Sequence, residues 1–208
     1  MTKKTLQLLA TVAAVAGMSF AATTAHAAAD SASSTTTAKV TLEAGSVDPE
    51  KPSAGGIELV SAPNLVFENV TLDGATTQTT KQTGAVDPVV IKNPGVASGW
   101  NVTVANTAFG TEADGAGDTI KAGTMTLTST TPTTTNTDTT DTANTPTAQT
   151  VELPTEGTTA KPVASAALKA GVGTWNVNYS NAALTVPANN VAGAYTSNLT
   201  WTLTNAPA

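Results

Sequence analysis

Three segments of this chain alternate apolar and polar residues with a period of two, and each sets a tryptophan two positions ahead of a branched aliphatic residue. They are Gly99-Trp100-Asn-Val102-Thr-Val104, Thr174-Trp175-Asn-Val177-Asn-Tyr179 and Leu199-Thr-Trp201-Thr-Leu203. A helix would scatter such residues around its circumference, whereas a strand puts both large side chains of each Trp-x-Val/Leu step on one face. The last segment extends the pattern. Tyr195, Ser197, Leu199, Trp201 and Leu203 fall on one side, and Thr196, Asn198, Thr200, Thr202 and Thr204 on the other. Such a strand covers a core on one face only.

Strand candidates of the same kind recur along the chain. Lys39 to Glu43, Ile57–Val60, Leu65–Leu72, Val89–Lys92, Gly99–Ala105, Thr124–Thr128, Thr174–Tyr179, Ala183–Val186 and Ala194–Asn205 are separated by turn-rich stretches with no room for crossover helices. Aromatic content is only 4%, and Thr, Val, Ala and Gly abound, which favours strands and turns. The expectation is one all-β, sandwich-like domain. Ser129 to Thr150 departs from the pattern, with threonine dominant and prolines and acids interrupting it. It reads as a long exposed loop, 129–150, inserted within the domain. A linker between two domains is the alternative, although the part beyond it is small for an independent sandwich.

The first residues have the form of a secretory signal: Lys3 and Lys4, an apolar run from Leu6 to Ala22, then Ala25-His26-Ala27 as a small-x-small cleavage site. The expected division is a signal peptide over 1–27, a flexible Ser/Thr/Ala linker over 28–38 and the β domain over 39–208. No later stretch approaches the roughly 18 apolar residues that a membrane helix needs, so an exported, secreted protein without a membrane span is expected. About 180 residues then remain, with seven lysines, no arginine, no histidine and no cysteine against fifteen acids, a net charge of −8. That charge leaves no footprint for nucleic acid. Without cysteine, no disulfide can staple the fold.

Catalysis by a Ser-His or Cys-His pair lacks its base once His26 is removed. Glu112, Asp114 and Asp118 are the densest acids, but glycines and alanines surround them, so no apolar pocket raises a pKa for glycoside hydrolysis. Clustered carboxylates on a flexible loop could hold calcium. Their spacing does not follow the helix-loop-helix calcium pattern, and a solvated loop is the plain alternative. No enzyme activity and no cofactor are expected. Leu153-Pro-Thr-Glu-Gly157 is close to a sortase signal but has Glu156 at the fourth position, where such a signal has threonine, and no hydrophobic stretch with a basic tail follows it.

Leu184-Thr-Val-Pro187, Ala192-Gly-Ala-Tyr195, Leu199-Thr-Trp201-Thr-Leu203 and Ala206-Pro207 together resemble the closing signature of the WxL-domain surface proteins of low-GC Gram-positive bacteria. Gly99-Trp100-Asn-Val102-Thr-Val104 is similar to the family's first Trp motif, with Val102 where the family name implies leucine. Val89-Val-Ile-Lys92-Asn-Pro94 lacks the Asp-x-Arg associated with many members at that place. The resemblance covers roughly Lys39 to Ala208. It implies non-covalent attachment to the Gram-positive cell wall through peptidoglycan, a location at the cell surface, and assembly with companion surface proteins. Trp100, Val102, Trp201 and Leu203 carry over as motif positions. Alternation puts them in the core, while stacking of an exposed tryptophan on a sugar ring is the other reading. A structural or adhesive subunit whose wall contact is made by a partner protein is the alternative function.

Overall fold

The computed structural model describes residues 37–112, 117–137 and 142–206. The chain divides between Thr41 and Leu42. Of the first unit, Thr37–Thr41 are described, and they are exposed and outside any strand. The second unit holds thirteen strands among its described residues. In chain order they are β1 (Ser53–Ala54), β2 (Ile57–Ser61), β3 (Gln78–Lys81), β4 (Val89–Asn93), β5 (Trp100–Asn106), β6 (Thr124–Ser129), β7 (Thr133–Thr134), β8 (Thr147–Ala148), β9 (Val151–Pro154), β10 (Thr158–Ala166), β11 (Gly173–Val177), β12 (Tyr179–Val186) and β13 (Leu199–Thr204). One 3-10 turn, Thr142–Asn144, is the only helical element described.

All pairings are antiparallel, in three sheets with the orders β1-β2-β4-β11-β7, β13-β5-β10-β8 and β3-β12-β6-β9. The fold is all-β, as the period-two segments require. The alternation is legible in burial along β5, where Trp100, Val102 and Val104 are fully enclosed and Asn101, Thr103 and Ala105 are half-buried. In β12 the period breaks once: Tyr179 and Ala182 both face inward because the register slips between Tyr179 and Asn181, the geometry of a bulge. Ile57, Ile91 and Val177 from the first sheet meet Val102, Val104 and Val163 from the second and Met125, Leu127 and Leu184 from the third in one apolar cluster.

The structure departs from the sequence pattern at several places. Lys39 to Glu43 forms no strand, and Val40 and Leu42 are 82% and 88% exposed. Leu65–Leu72 is extended but contributes only a single bridge, Phe67 to Gln82. Regular pairing of the closing segment begins at Leu199 and not at Ala194. Within the threonine-rich stretch most side chains are exposed, yet β7 pairs with β11 and β8 with β10, and Pro132 and Pro146 are buried. Two asparagines tie the stretch down. Asn144 Oδ1 accepts from Val172 N at 2.8 Å, and Asn136 and Asn144 both donate from Nδ2 to the Val172 carbonyl, at 3.1 and 3.0 Å. Polar side chains here bind backbone, which is how a segment too polar for a core still docks on one.

Candidate functional site

The two outer motifs lie on neighbouring strands. β13 pairs with β5 so that Leu203 stands opposite Val102 and Trp201 opposite Val104. Their environments differ. Trp100 is fully enclosed and its indole N–H donates to the Gly171 carbonyl at 3.1 Å. Gly171 lies directly beneath that ring, at a φ of 67°, and a Cβ there would run into the Trp100 indole nitrogen. Val102 is likewise fully enclosed. Trp175 is buried and donates to the Val172 carbonyl at 3.0 Å.

Trp201 and Leu203, by contrast, are only half-buried. The Trp201 indole N–H has no partner among the described residues. The reason is topological. β5 sits inside its sheet between β13 and β10, whereas β13 ends the sheet and has no strand beyond it. A residue on the edge strand packs downward on the core but has nothing beside it.

Beside that edge lies a groove of 1320 Å³, walled on one side by Tyr195 to Leu199 with Trp201 and on the other by Ala62 to Leu72. This exceeds the roughly 300–1,000 Å³ of ordinary small-molecule pockets. Its floor is the core itself, with Phe109, Ile120, Met125, Leu184 and Val186 reaching into the lining. The first wall is fixed by paired backbone bonds, Thr196 with Gly110 at 2.9 Å in both directions, and by Thr107 N donating to Asn198 O at 3.0 Å. The Tyr195 hydroxyl donates to the Val191 carbonyl at 2.8 Å and fixes its ring over the lip. The second wall hangs on β3: Glu68 N donates to Lys81 O at 2.9 Å, Thr83 N to Val66 O at 2.7 Å, and Thr80 Oγ1 to Glu68 O at 2.8 Å. Glu68 is the single charged residue in the lining. Phe67, Tyr195 and Trp201 supply aromatic faces, and Asn64, Asn69, Asn190 and Asn198 supply amides.

The acidic loop is not part of this arrangement. Glu112 and Asp118 are exposed, Asp114 lies outside the described residues, and no three groups of metal-binding type converge among the described residues. The proposed signal peptide likewise falls outside them. Leu153-Pro-Thr-Glu-Gly157 is the end of β9 and the turn after it. Leu153 and Thr155 are fully buried, so a sorting enzyme could not engage that stretch in the folded protein. Among the described residues no helix is long and apolar enough to cross a membrane.

A tryptophan–aliphatic step repeated on adjacent strands, one enclosed and one at a groove, is the arrangement to set beside known families. The model of the WxL domain, described as a surface cell wall-binding domain, matches residues 29–207. The chain belongs to the WxL domain family. No match was found among curated proteins or among solved structures. The WxL match makes this a cell-surface, cell wall-binding protein, and it spans both tryptophan motifs and all thirteen strands. Sequence reasoning found the motif positions because they alternate. It missed the groove's second wall, because Leu65–Leu72 reads as a strand, whereas in the structure it lines a rim from Ala62 to Leu72 and pairs only through Phe67.

Proposed function

We propose that this WxL domain is exported and holds the cell wall non-covalently, with peptidoglycan lying in the groove between Trp201 and Phe67. The observation that carries this reading is the character of the lining. A nearly uncharged trough with four aromatic rings, Phe109 in its floor and Phe67, Tyr195 and Trp201 on its walls, and several amides suits a neutral polymer of sugar rings and acetamido groups, since rings stack on aromatic faces and amides exchange hydrogen bonds with them. It does not suit the anionic wall polymers, which an acidic chain repels beyond short range. The domain acts by binding and not by catalysis. Among the described residues Glu68 is the only carboxylate in the lining, and glycoside hydrolysis needs a pair.

Co-sedimentation with purified peptidoglycan tests the reading. The folded protein is expected in the pellet, and Trp201→Ala and Tyr195→Ala are expected to leave it in the supernatant with an unchanged far-UV spectrum. Pelleting of both variants to the wild-type extent would refute the groove as the site. Failure of the wild-type protein to pellet would refute direct peptidoglycan binding and leave wall contact to a companion surface protein.

A further inference from the structure

The groove is the gap left by a missing strand. Asn198 accepts from Thr107 on the β5 side, so by alternation the N–H and C=O groups of Leu199, Trp201 and Leu203 point away from β5. No element pairs with them among the described residues. Across the groove, Glu68 N bonds to Lys81 O of β3 and Val66 O to Thr83 N just beyond it, which turns the backbone groups of Leu65 and Phe67 the other way, and these also have no partner among the described residues. Two unpaired backbone edges thus border one trough with an apolar floor. That is what an added β-strand requires: an edge for its backbone and pockets for its alternate side chains.

The same chain carries a segment of the matching kind. Lys39-Val-Thr-Leu-Glu43 alternates with a period of two, pairs with no strand among the described residues, and presents Val40 and Leu42 almost fully to solvent. Inserted in the trough, Val40 and Leu42 would meet the floor around Met125 and Leu184, while Lys39, Thr41 and Glu43 faced outward. The one charge in the lining, Glu68, is exposed on the rim and opposite in sign to Lys39. We propose that the groove accepts Lys39 to Glu43 of a second copy of this chain as an added strand. Donor and acceptor are different surfaces, so the contact is heterologous, and the form proposed is its open head-to-tail extension in place of a ring or a reciprocal pair. The copy at one end keeps an empty groove, and it is this copy that remains able to hold the wall.

The absence of cysteine allows a clean test. Copies carrying only Val40→Cys or only Leu42→Cys are mixed with copies carrying only Leu199→Cys and oxidised, and sedimentation velocity is run on the unsubstituted chain across a concentration series. The expected results are a ladder of sizes that grows with concentration, a disulfide joining the two kinds of copy, and collapse of the ladder to monomer in Val40→Asp/Leu42→Asp, whose exposed positions leave the fold intact. A chain that stays monomeric throughout, a ladder unchanged by the aspartates, or failure of the two kinds of copy to cross-link to each other would overturn the proposal. Peptidoglycan co-sedimentation of the aspartate variant separates the two readings. Retained pelleting of a monomer is expected if both hold, and loss of pelleting with an intact ladder in the unsubstituted protein would count against wall binding in the groove alone.

Discussion

Replacing Trp100 and Trp201 by alanine, one at a time, should give sharply unequal results although the two occupy equivalent places in their motifs. Trp100 is fully enclosed and its indole holds the Gly171 carbonyl at 3.1 Å. Truncation of a buried tryptophan costs about 3–5 kcal/mol, and a buried carbonyl left without its donor adds about 1–3 kcal/mol. The two overlap, so about 5 kcal/mol is the working figure. That is comparable to the lower end of the 5–15 kcal/mol that hold a domain together, and Trp100→Ala should be largely unfolded or nearly so. Trp201 is half-buried, donates no hydrogen bond and faces a groove that already admits water. Its removal should cost only about 1–2 kcal/mol, since roughly half of the ring's burial is at stake. Urea unfolding followed by far-UV circular dichroism measures both. With a slope of about 1–3 kcal/mol per molar, Trp201→Ala should move the midpoint by about 1 M with the slope unchanged, while Trp100→Ala should abolish or nearly abolish the native baseline. Equal destabilisation by the two, or a Trp100→Ala protein as stable as Trp201→Ala, would refute the division into an enclosed and a groove-side tryptophan.

The Tyr179 hydroxyl is buried without a hydrogen-bond partner among the described residues, so Tyr179→Phe should raise the unfolding free energy by about 1 kcal/mol, measured by the same titration. Burial also pushes the Tyr179 phenol far above its ordinary pKa of 10.0. The folded state therefore keeps a proton that the unfolded chain releases, and stability should fall as pH rises past about 10, a loss that Tyr179→Phe should lessen. The Asp73 carboxylate accepts from the Thr76 hydroxyl, Thr76 N and Ala75 N, which lowers its pKa from 3.8 to about 2. Its contribution is present above the unfolded value and fades as pH falls from about 4 towards 2. Carboxyl-detected NMR should find Asp73 still ionised at about pH 3, below its ordinary value of 3.8, and Asp73→Asn should remove that part of the acid dependence. Gly171→Ala should destabilise by more than about 1 kcal/mol, because its positive φ and the Trp100 ring beneath it both oppose a side chain; a neutral result in thermal unfolding would mean that the ring can shift.

Alternation alone made the core of the second sheet legible, since Trp100, Val102 and Val104 fall inward as the period demands. It could not distinguish an enclosed motif from one on an edge. That distinction belongs to strand order, which depends on pairings such as Leu203 with Val102 that lie far apart in sequence. Strands β3 and β10 are illegible for a related reason. Gln78–Lys81 has no apolar residue, and Thr158–Ala166 carries Pro162 with two register slips, so their pairing is decided by neighbours and not by their own composition. Strand β9 does alternate, but over only four residues ending in Pro154, too short a run to mark a strand by itself. Lys39 to Glu43 shows the reverse failure, a well-formed period with no partner within reach of the pattern. The groove was illegible because it is made by absence of a neighbour, and no residue encodes that by itself.

The pairing of β13 with β5 also constrains when the fold can form. Leu199–Thr204 joins Trp100–Asn106 across nearly a hundred intervening positions, and a contact so distant must pay the loop-closure entropy before any packing rewards it. During N-to-C emergence β5 therefore waits with one side bare until almost the whole domain is free. The barrier to premature compaction is thus written into the sheet order, since the second sheet stays open along β5 until β13 has emerged to close it.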